Sequence, residues 1–241
     1  PHRGVFYTLK KMGLTVSGDI GCYTLGAVAP LSAMDTTLCM GASISALHGF
    51  NKVRGDDSRS VAVIGDSTFM HSGMTGLVNI IYNGGASTVI ILDNRITGMT
   101  GHQQNPLTGL TLKNQPAPYI CLEDICAGLG VAREHIRVVD PAQPAELEKV
   151  LKEELAADAA SVVICRRPCA LLKGVEKKPP LRVDREKCRG CKACMKIGCP
   201  CISMVAGENG VKAKVDEGMC VGCGLCEQMC PFGAFSSTTE E

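Results

Sequence analysis

The sequence predicts an α/β fold, a parallel sheet covered by helices, followed by a small cysteine-rich unit. Two patterns predict it. Short apolar, β-branched segments alternate with helical stretches through the first part of the chain. Eight cysteines then recur at fixed short spacings in the last part. A length of 241 residues, 45% of them hydrophobic, supports one medium domain plus a small appendage.

The strands come first. Val61–Gly65, Thr88–Asp93, Ile136–Asp140 and Val162–Cys165 are apolar and β-branched, as strands buried on both faces must be. Helical stretches lie between them at Ser72–Tyr82, Leu122–Leu129 and Pro144–Leu155. The last has proline at its start and is rich in Ala, Glu, Leu and Lys, which suits a surface helix. Strand–helix alternation implies parallel strands, and ligands of such sheets bind at the strands' carboxyl ends.

Polar residues cluster at those ends. Asp66-Ser67 follows the first strand, and Asp93 to His102 follows the second. Asp66 offers an anionic oxygen, Asn94 an amide oxygen and Ile96 a backbone carbonyl. That is the hard oxygen donor set of a Mg²⁺ ion that also holds a diphosphate. The bland reading of Asp66 is a strand-to-helix turn with a capping aspartate. Gly128–Ala132 mimics a dinucleotide fingerprint but lacks its full pattern and follows a helix, so it is set aside.

Residues 173–180, with three lysines and two prolines, read as a linker between a unit at 1–172 and one at 181–241. The second unit carries Cys188, Cys191, Cys194 and Cys199-Pro200, then Cys220, Cys223, Cys226 and Cys230-Pro231. Three thiolates at x2 spacing wrap one iron–sulfur cube, and the fourth comes from the other run. One set is therefore Cys188, Cys191, Cys194 and Cys230. The other is Cys220, Cys223, Cys226 and Cys199. Gly190, Gly222 and Gly224 let backbone N–H groups approach the sulfurs. Zinc is the alternative for paired C-x2-C motifs. Cys201 is a spare, and a disulfide framework does not suit a chain without a signal peptide. Over 181–236 the pattern resembles a bacterial two-cluster ferredoxin, an α+β domain, with one extra residue within Met195–Gly198.

Gly65-Asp66 followed 28 residues later by Asn94 resembles the thiamine-diphosphate motif, with Ser67 in place of its second glycine. The blocks at Gly18–Gly26 and Cys39–Gly49 and the stretch from Asp66 to Gln103 extend the likeness. With the tail, they resemble the large-subunit family of indolepyruvate:ferredoxin oxidoreductases, among the 2-oxoacid:ferredoxin oxidoreductases. The resemblance implies the thiamine-diphosphate-binding fold. It implies thiamine diphosphate and Mg²⁺ held by Gly21, Cys22, Gly65, Asp66, Ser67, Asn94, Ile96, Thr97, Gly98 and Met99. It also implies two [4Fe-4S] clusters, coenzyme A as co-substrate and ferredoxin as acceptor. A small subunit and a separate pyrimidine-binding domain would complete the enzyme.

The implied reaction is oxidative decarboxylation of an aryl pyruvate to an acyl-CoA. Pyruvate or a branched-chain oxoacid as substrate, a non-redox decarboxylase and a bare electron carrier are the alternatives. His48 and His102 are candidate catalytic residues, each with a plain structural alternative, and His2 is of the same kind. Cys22 and Cys169 could belong to a further cluster with cysteines upstream, while Cys39, Cys121 and Cys126 read as structural. The chain opens on Pro-His-Arg and reads as a piece of a larger protein. No apolar run is long enough for a membrane span, and a net charge of +1 with 4% aromatics and no Trp gives no case for nucleic acid. Clusters of this kind imply a reducing, oxygen-poor cytoplasm.

Overall fold

In the computed structural model, residues 1–207 and 210–237 are described. Helix α1 (Arg3–Met12) leads into strand β1 (Thr15–Gly18), the two-residue strand β2 (Thr36–Thr37) and helix α2 (Ala42–Arg54). Strand β3 (Ser60–Gly65) runs directly into helix α3 (Asp66–Thr68), a π-turn (Phe69–Gly73) and helix α4 (Met74–Tyr82). Then come β4 (Thr88–Asp93), α5 (Leu122–Gly128), β5 (Ile136–Val139), α6 (Pro144–Ala156) and β6 (Ser161–Arg166). The six strands form one parallel sheet in the order β2-β1-β3-β4-β6-β5.

The strand residues explain the layers. Every residue of β3 and β4 is buried, and their side chains alternate between the two faces. Val61, Val63, Ile90 and Leu92 meet α1 and α6 through Phe6, Leu9, Leu147 and Leu151. Ala62, Ile64, Val89 and Ile91 meet α2, α4 and α5 through Ile44, Leu47, Leu77, Ile80 and Leu122. The continuous apolar runs follow from this double cover. The four predicted strands appear, with ends shifted by a residue. The helix expected to start at Ser72 instead starts at Asp66, six residues earlier, so Asp66 sits in the first turn of a helix. Gly65 in extended conformation leaves no loop between strand and helix.

The chain leaves β1 toward β2 on one side and leaves β3 toward β4 on the other. The switch point lies between β1 and β3. Two blocks are tied together there by Asp19, which has no exposed surface. Its carboxylate accepts N–H groups of Gly41 at 2.9 Å, Ser43 at 3.1 Å and Ile20 at 2.8 Å. It thereby caps α2 and fixes the loop after β1 to it.

The second unit has two small antiparallel pairs. Strand β7 (Leu181–Val183) pairs with β10 (Phe235–Ser237), and β8 (Ile202–Gly207) pairs with β9 (Gly210–Val215), with helix α7 (Leu225–Met229) between β9 and β10. Four of the ten buried residues in its core are cysteines, so little apolar mass holds it together without a sulfur ligand. It sits on the first unit. Arg3 donates to the Gly198 carbonyl, and Gln228 Nε2 donates to the Ala142 carbonyl at 2.9 Å. Leu225 packs against Gly4, 3.2 Å from where an added Cβ would lie. Among the described residues no helix is long and apolar enough to cross a membrane.

Replacing Asp19 with Ala strands buried N–H donors at the α2 start. We expect roughly 2–3 kcal/mol of destabilisation, read as a lowered denaturation midpoint, with Asp19→Asn losing less.

Candidate cofactor site and the cysteine sets

A cavity of about 280 Å³ opens at the switch point. The loops after β1, β3 and β4 wall it, as expected for a doubly wound sheet. All ten residues expected to hold the cofactor line it: Gly21, Cys22, Gly65, Asp66, Ser67, Asn94, Ile96, Thr97, Gly98 and Met99. The glycines have a steric reason. The Tyr23 ring lies over Gly21 and Gly65, and a Cβ on either would fall within 3 Å of it. Burial pushes the Tyr23 phenol far up, so it stays protonated and donates to the Ile20 carbonyl at 3.2 Å.

The electrostatics centre on two aspartates. Asp66 and Asp93 end adjacent strands, and both are buried. Asp93 is neutralised by Arg166 at 2.7 Å and Arg95 at 3.3 Å, and Arg166 also holds Glu123 at 2.8 Å. Asp66 has no ion pair among the described residues. It accepts the backbone N–H groups of Ser67 at 2.7 Å and Arg95 at 3.1 Å, and the buried Asn105 amide lies beside it. Burial, then the nearby Asp93 charge, outweigh those bonds and push its carboxyl up to about 7. An anionic oxygen that lacks a counter-charge, beside a cavity, is what a divalent cation would relieve. The Asn94 amide oxygen, which accepts the Ile96 N–H at 3.1 Å, lies on the same wall. The donor set therefore fits Mg²⁺. The Thr97 hydroxyl donates to Ser67 at 2.8 Å, so the serine that replaces a motif glycine ties the two loops together.

The two candidate histidines do not join the site. His48 is buried on α2, and its ring packs against Gly85 ahead of β4, at the opposite end of the sheet from Asp66. The expectation that it faces the cofactor is corrected. Its place follows from α2, whose buried side points its residues at the sheet rather than the cavity. His102 is exposed in a left-handed turn (φ 64°) and stays off the cavity wall. His2, by contrast, does line the cavity. Burial pushes its imidazole down to about 3, and its Nε2 bonds the Cys165 carbonyl at 2.8 Å. Sequence reasoning also left Arg3, Tyr23 and Asn105 without roles. Arg3 and Tyr23 share the cavity wall, and Asn105 is buried beside Asp66. The apolar spacing of Val5, Phe6 and Leu9 could have placed Arg3 on a helix. Cys22 lies 3.4 Å from an idealised Cβ on Gly98, and Cys169 is tied to Asn94 through a backbone bond of 3.0 Å. Cys126 and Cys165 are buried in the sheet's two cores.

The tail cysteines sort into two groups. Cys188, Cys191, Cys194 and Cys230 line one small pocket. Burial and then the neighbouring Cys188, Cys191 and Cys230 push the Cys194 thiol up. Cys226 is pushed up to about 12 by burial and by Cys223, Cys199 and Cys220. Each group thus draws its fourth member from the other run. Two sulfurs accept backbone N–H groups: Cys188 from Ala213 at 3.5 Å and Cys230 from Ala234 at 3.4 Å. Among the described residues no three His, Cys, Asp or Glu converge as a single-ion site; the first group rings a pocket instead.

The thiamine pyrophosphate enzyme family matches residues 19–165 through its C-terminal TPP-binding domain. The 4Fe-4S binding domain family matches residues 213–236. The indolepyruvate oxidoreductase subunit IorA of Pyrococcus horikoshii is 41% identical over all of this chain and 40% of its own length. The chain belongs to the thiamine pyrophosphate enzyme family. The IorA subunit of Methanothermobacter marburgensis is 38% identical over 97% of this chain and 38% of its own. The chain thus spans about two-fifths of the IorA relatives it matches. A solved 2-oxoglutarate:ferredoxin oxidoreductase from Magnetococcus marinus superposes with a TM-score of 0.59 over 72% of this chain and 62% of that one. At 14% identity it shares the fold.

The raised Asp66 carboxyl fixes a pH signature. Its proton is held more tightly in the folded state, so its contribution to stability is complete below pH ~4 and is lost as pH rises through about 7. Metal-free protein should lose up to a few kcal/mol across that window. Asp66→Asn should flatten the profile and also abolish stabilisation by added Mg²⁺. Denaturation midpoints from pH 4 to pH 8, with and without Mg²⁺, test both.

Proposed function

We propose that this chain is the diphosphate-binding and electron-carrying part of a thiamine-diphosphate-dependent 2-oxoacid:ferredoxin oxidoreductase that acts on aryl pyruvates such as indolepyruvate. One observation carries the reading. A buried carboxylate without a counter-charge stands at the switch-point cavity, on the strand end that the thiamine pyrophosphate family match covers. The aryl pyruvate rests on the names of the IorA relatives. The acceptor and the coenzyme A co-substrate gain support from the ferredoxin oxidoreductase that shares the fold, whose structure holds coenzyme A and succinyl-CoA.

In this reading residues 1–172 bind the cofactor, 173–180 connect, and 181–241 carry electrons; residues 208, 209 and 238–241 lie outside the described part. Asp66, Asn94 and the Ile96 carbonyl would hold Mg²⁺, whose charge would offset that of the diphosphate. Gly21, Gly65 and Gly98 let backbone approach the cofactor, and Cys22, Ser67, Thr97 and Met99 would complete the wall. When bound, thiamine diphosphate supplies the electron sink that lets a 2-oxoacid release carbon dioxide. The chain's own part is to bind, to orient and to exclude water. Neutral His2, Phe6, Leu25, Leu31 and Met40 give the cavity an apolar side that keeps solvent away. Cys188, Cys191, Cys194 and Cys230 would hold one [4Fe-4S] cluster, and Cys199, Cys220, Cys223 and Cys226 the other.

A pyrimidine-binding domain and a small subunit complete the active unit, so the single chain should bind thiamine diphosphate weakly and turn nothing over. The test is anaerobic co-expression with the amino-terminal part and the small subunit. CoA-dependent viologen reduction by indolepyruvate, phenylpyruvate and pyruvate is then assayed with and without thiamine diphosphate. Cofactor-dependent reduction favouring aryl pyruvates is expected. Decarboxylation without dye reduction would overturn the redox reading. Asp66→Ala should cut activity at least ~100-fold, as loss of the sole carboxylate on the metal would. Reconstituted tail should hold about eight irons, two cubes of four.

A further inference from the structure

The two cysteine groups sit in unlike surroundings. The group of Cys199, Cys220, Cys223 and Cys226 is turned toward the cofactor domain. Arg3, a wall residue of the cavity, donates to the Gly198 carbonyl beside Cys199. Helix α7, which carries Cys226, holds the Ala142 carbonyl through Gln228 and brings Leu225 against Gly4. Cys223 feels the Arg167 guanidinium, which is anchored on Asp140 at 2.8 and 2.9 Å. Gly222 is pressed against the carbonyls of Lys178 and Pro179.

The group of Cys188, Cys191, Cys194 and Cys230 is turned outward. Cys191 is exposed, and Phe232, on the same pocket, is 46% exposed. Cations surround it. Arg189 and Lys192 line the pocket and are exposed. Lys212 reaches across from β9 to the Cys188 carbonyl, and Lys214 lies two residues further on the same strand face. Arg185 lies beside Gly207 at the end of β8. Over residues 185–214 the chain has seven Lys or Arg against two Glu, whereas 216–227 holds three acids and no base. The charge therefore divides between the two groups rather than scattering over the unit.

We propose that the outward group marks the electron exit, and that its basic rim of Arg185, Arg189, Lys192 and Lys214 docks a small acidic one-electron carrier protein. This rests on the function proposed above and adds the place where the acceptor binds. A ring of cations around an exposed apolar and sulfur centre steers an acidic partner and sets its orientation. The exposed acids Asp216, Glu217 and Glu227, by the other group, repel the same partner. The docked carrier is reduced by one electron at a time. Two carriers are reduced for each 2-oxoacid oxidised, with carbon dioxide, acyl-CoA and one proton released.

The test uses the assembled complex, purified anaerobically, and an acidic two-cluster ferredoxin as probe. The double variant Arg185→Glu/Lys214→Glu is compared with Glu227→Lys, which reverses a charge on the inward side. At low ionic strength the double variant should raise both the ferredoxin Kd and its KM about tenfold or more. It should also flatten the salt dependence of binding, because fewer exposed pairs remain to be screened. Viologen reduction and the cluster EPR signals should stay within about twofold of the parent, and Glu227→Lys should leave ferredoxin binding unchanged. Unchanged Kd and KM in the double variant would overturn the proposal. So would protection of the rim lysines from amine labelling in the complex without ferredoxin, since another subunit would then cover them. A complex with no thiamine-diphosphate-dependent viologen reduction would fail the functional reading, while the Kd comparison would still decide the docking site.

Discussion

Two carboxylates end adjacent buried strands of a parallel sheet, and only one of them is neutralised. Asp93 has Arg166 and Arg95 within ion-pair distance, whereas Asp66 has no ion-pair partner among the described residues. Burial of an unpaired charge is expensive, and a nearby like charge adds to the cost. The fold does not remove that cost by supplying a third arginine. It keeps Arg95 turned to Asp93 while the Arg95 backbone N–H serves Asp66. The imbalance is confined to one oxygen donor group on a cavity wall, which is where a bound cation would be most stabilising.

The rest of the cavity follows from holding that wall in place. Asp19 fixes the loop after β1 by capping α2, so the Tyr23 ring can cover Gly65. Ser67 and Thr97 join the loop after β3 to the loop after β4. A π-turn follows Asp66 within the helical run, a distortion that often accompanies functional sites. The loop after β1 is thus fixed through α2, while the loops after β3 and β4 are fixed to each other, and the three walls meet at the switch point.

The core strands and the cysteine sets were legible because each rests on a strong local signal. Val61–Gly65 and Thr88–Asp93 are unbroken β-branched runs, and the cysteine spacing is dictated by ligand geometry. The ten cavity residues were legible only through motif likeness, since nothing local says that Gly21 and Gly98 share a wall. What was missed has physical causes. Strands β1 and β2 are four and two residues long and owe their existence to pairing with β3 and with each other. The α2 sequence mixes Ser, Gly, His and Asn with its apolar residues and gives a blurred period. His48 became a candidate through motif likeness alone, and the blurred period of α2 gave no sign that the helix turns it to the opposite end of the sheet.

Helix α1 shows how one short element can serve three structural ends. Its apolar stripe of Val5, Phe6 and Leu9 covers one face of the sheet. Its first turn walls the cavity through His2, Arg3 and Phe6. The same turn receives the cysteine-rich unit, through the Arg3 bond to Gly198 and the packing of Leu225 against Gly4. Gly4 is the enabling residue, because any side chain there would strike the Pro141 backbone carbonyl. The cofactor cavity and the inward cysteine group are therefore held in register by covalent neighbours rather than by a flexible connection alone. A displacement of α1 would disturb both together, so the geometry of the cavity and the path to the cysteines are a single structural variable.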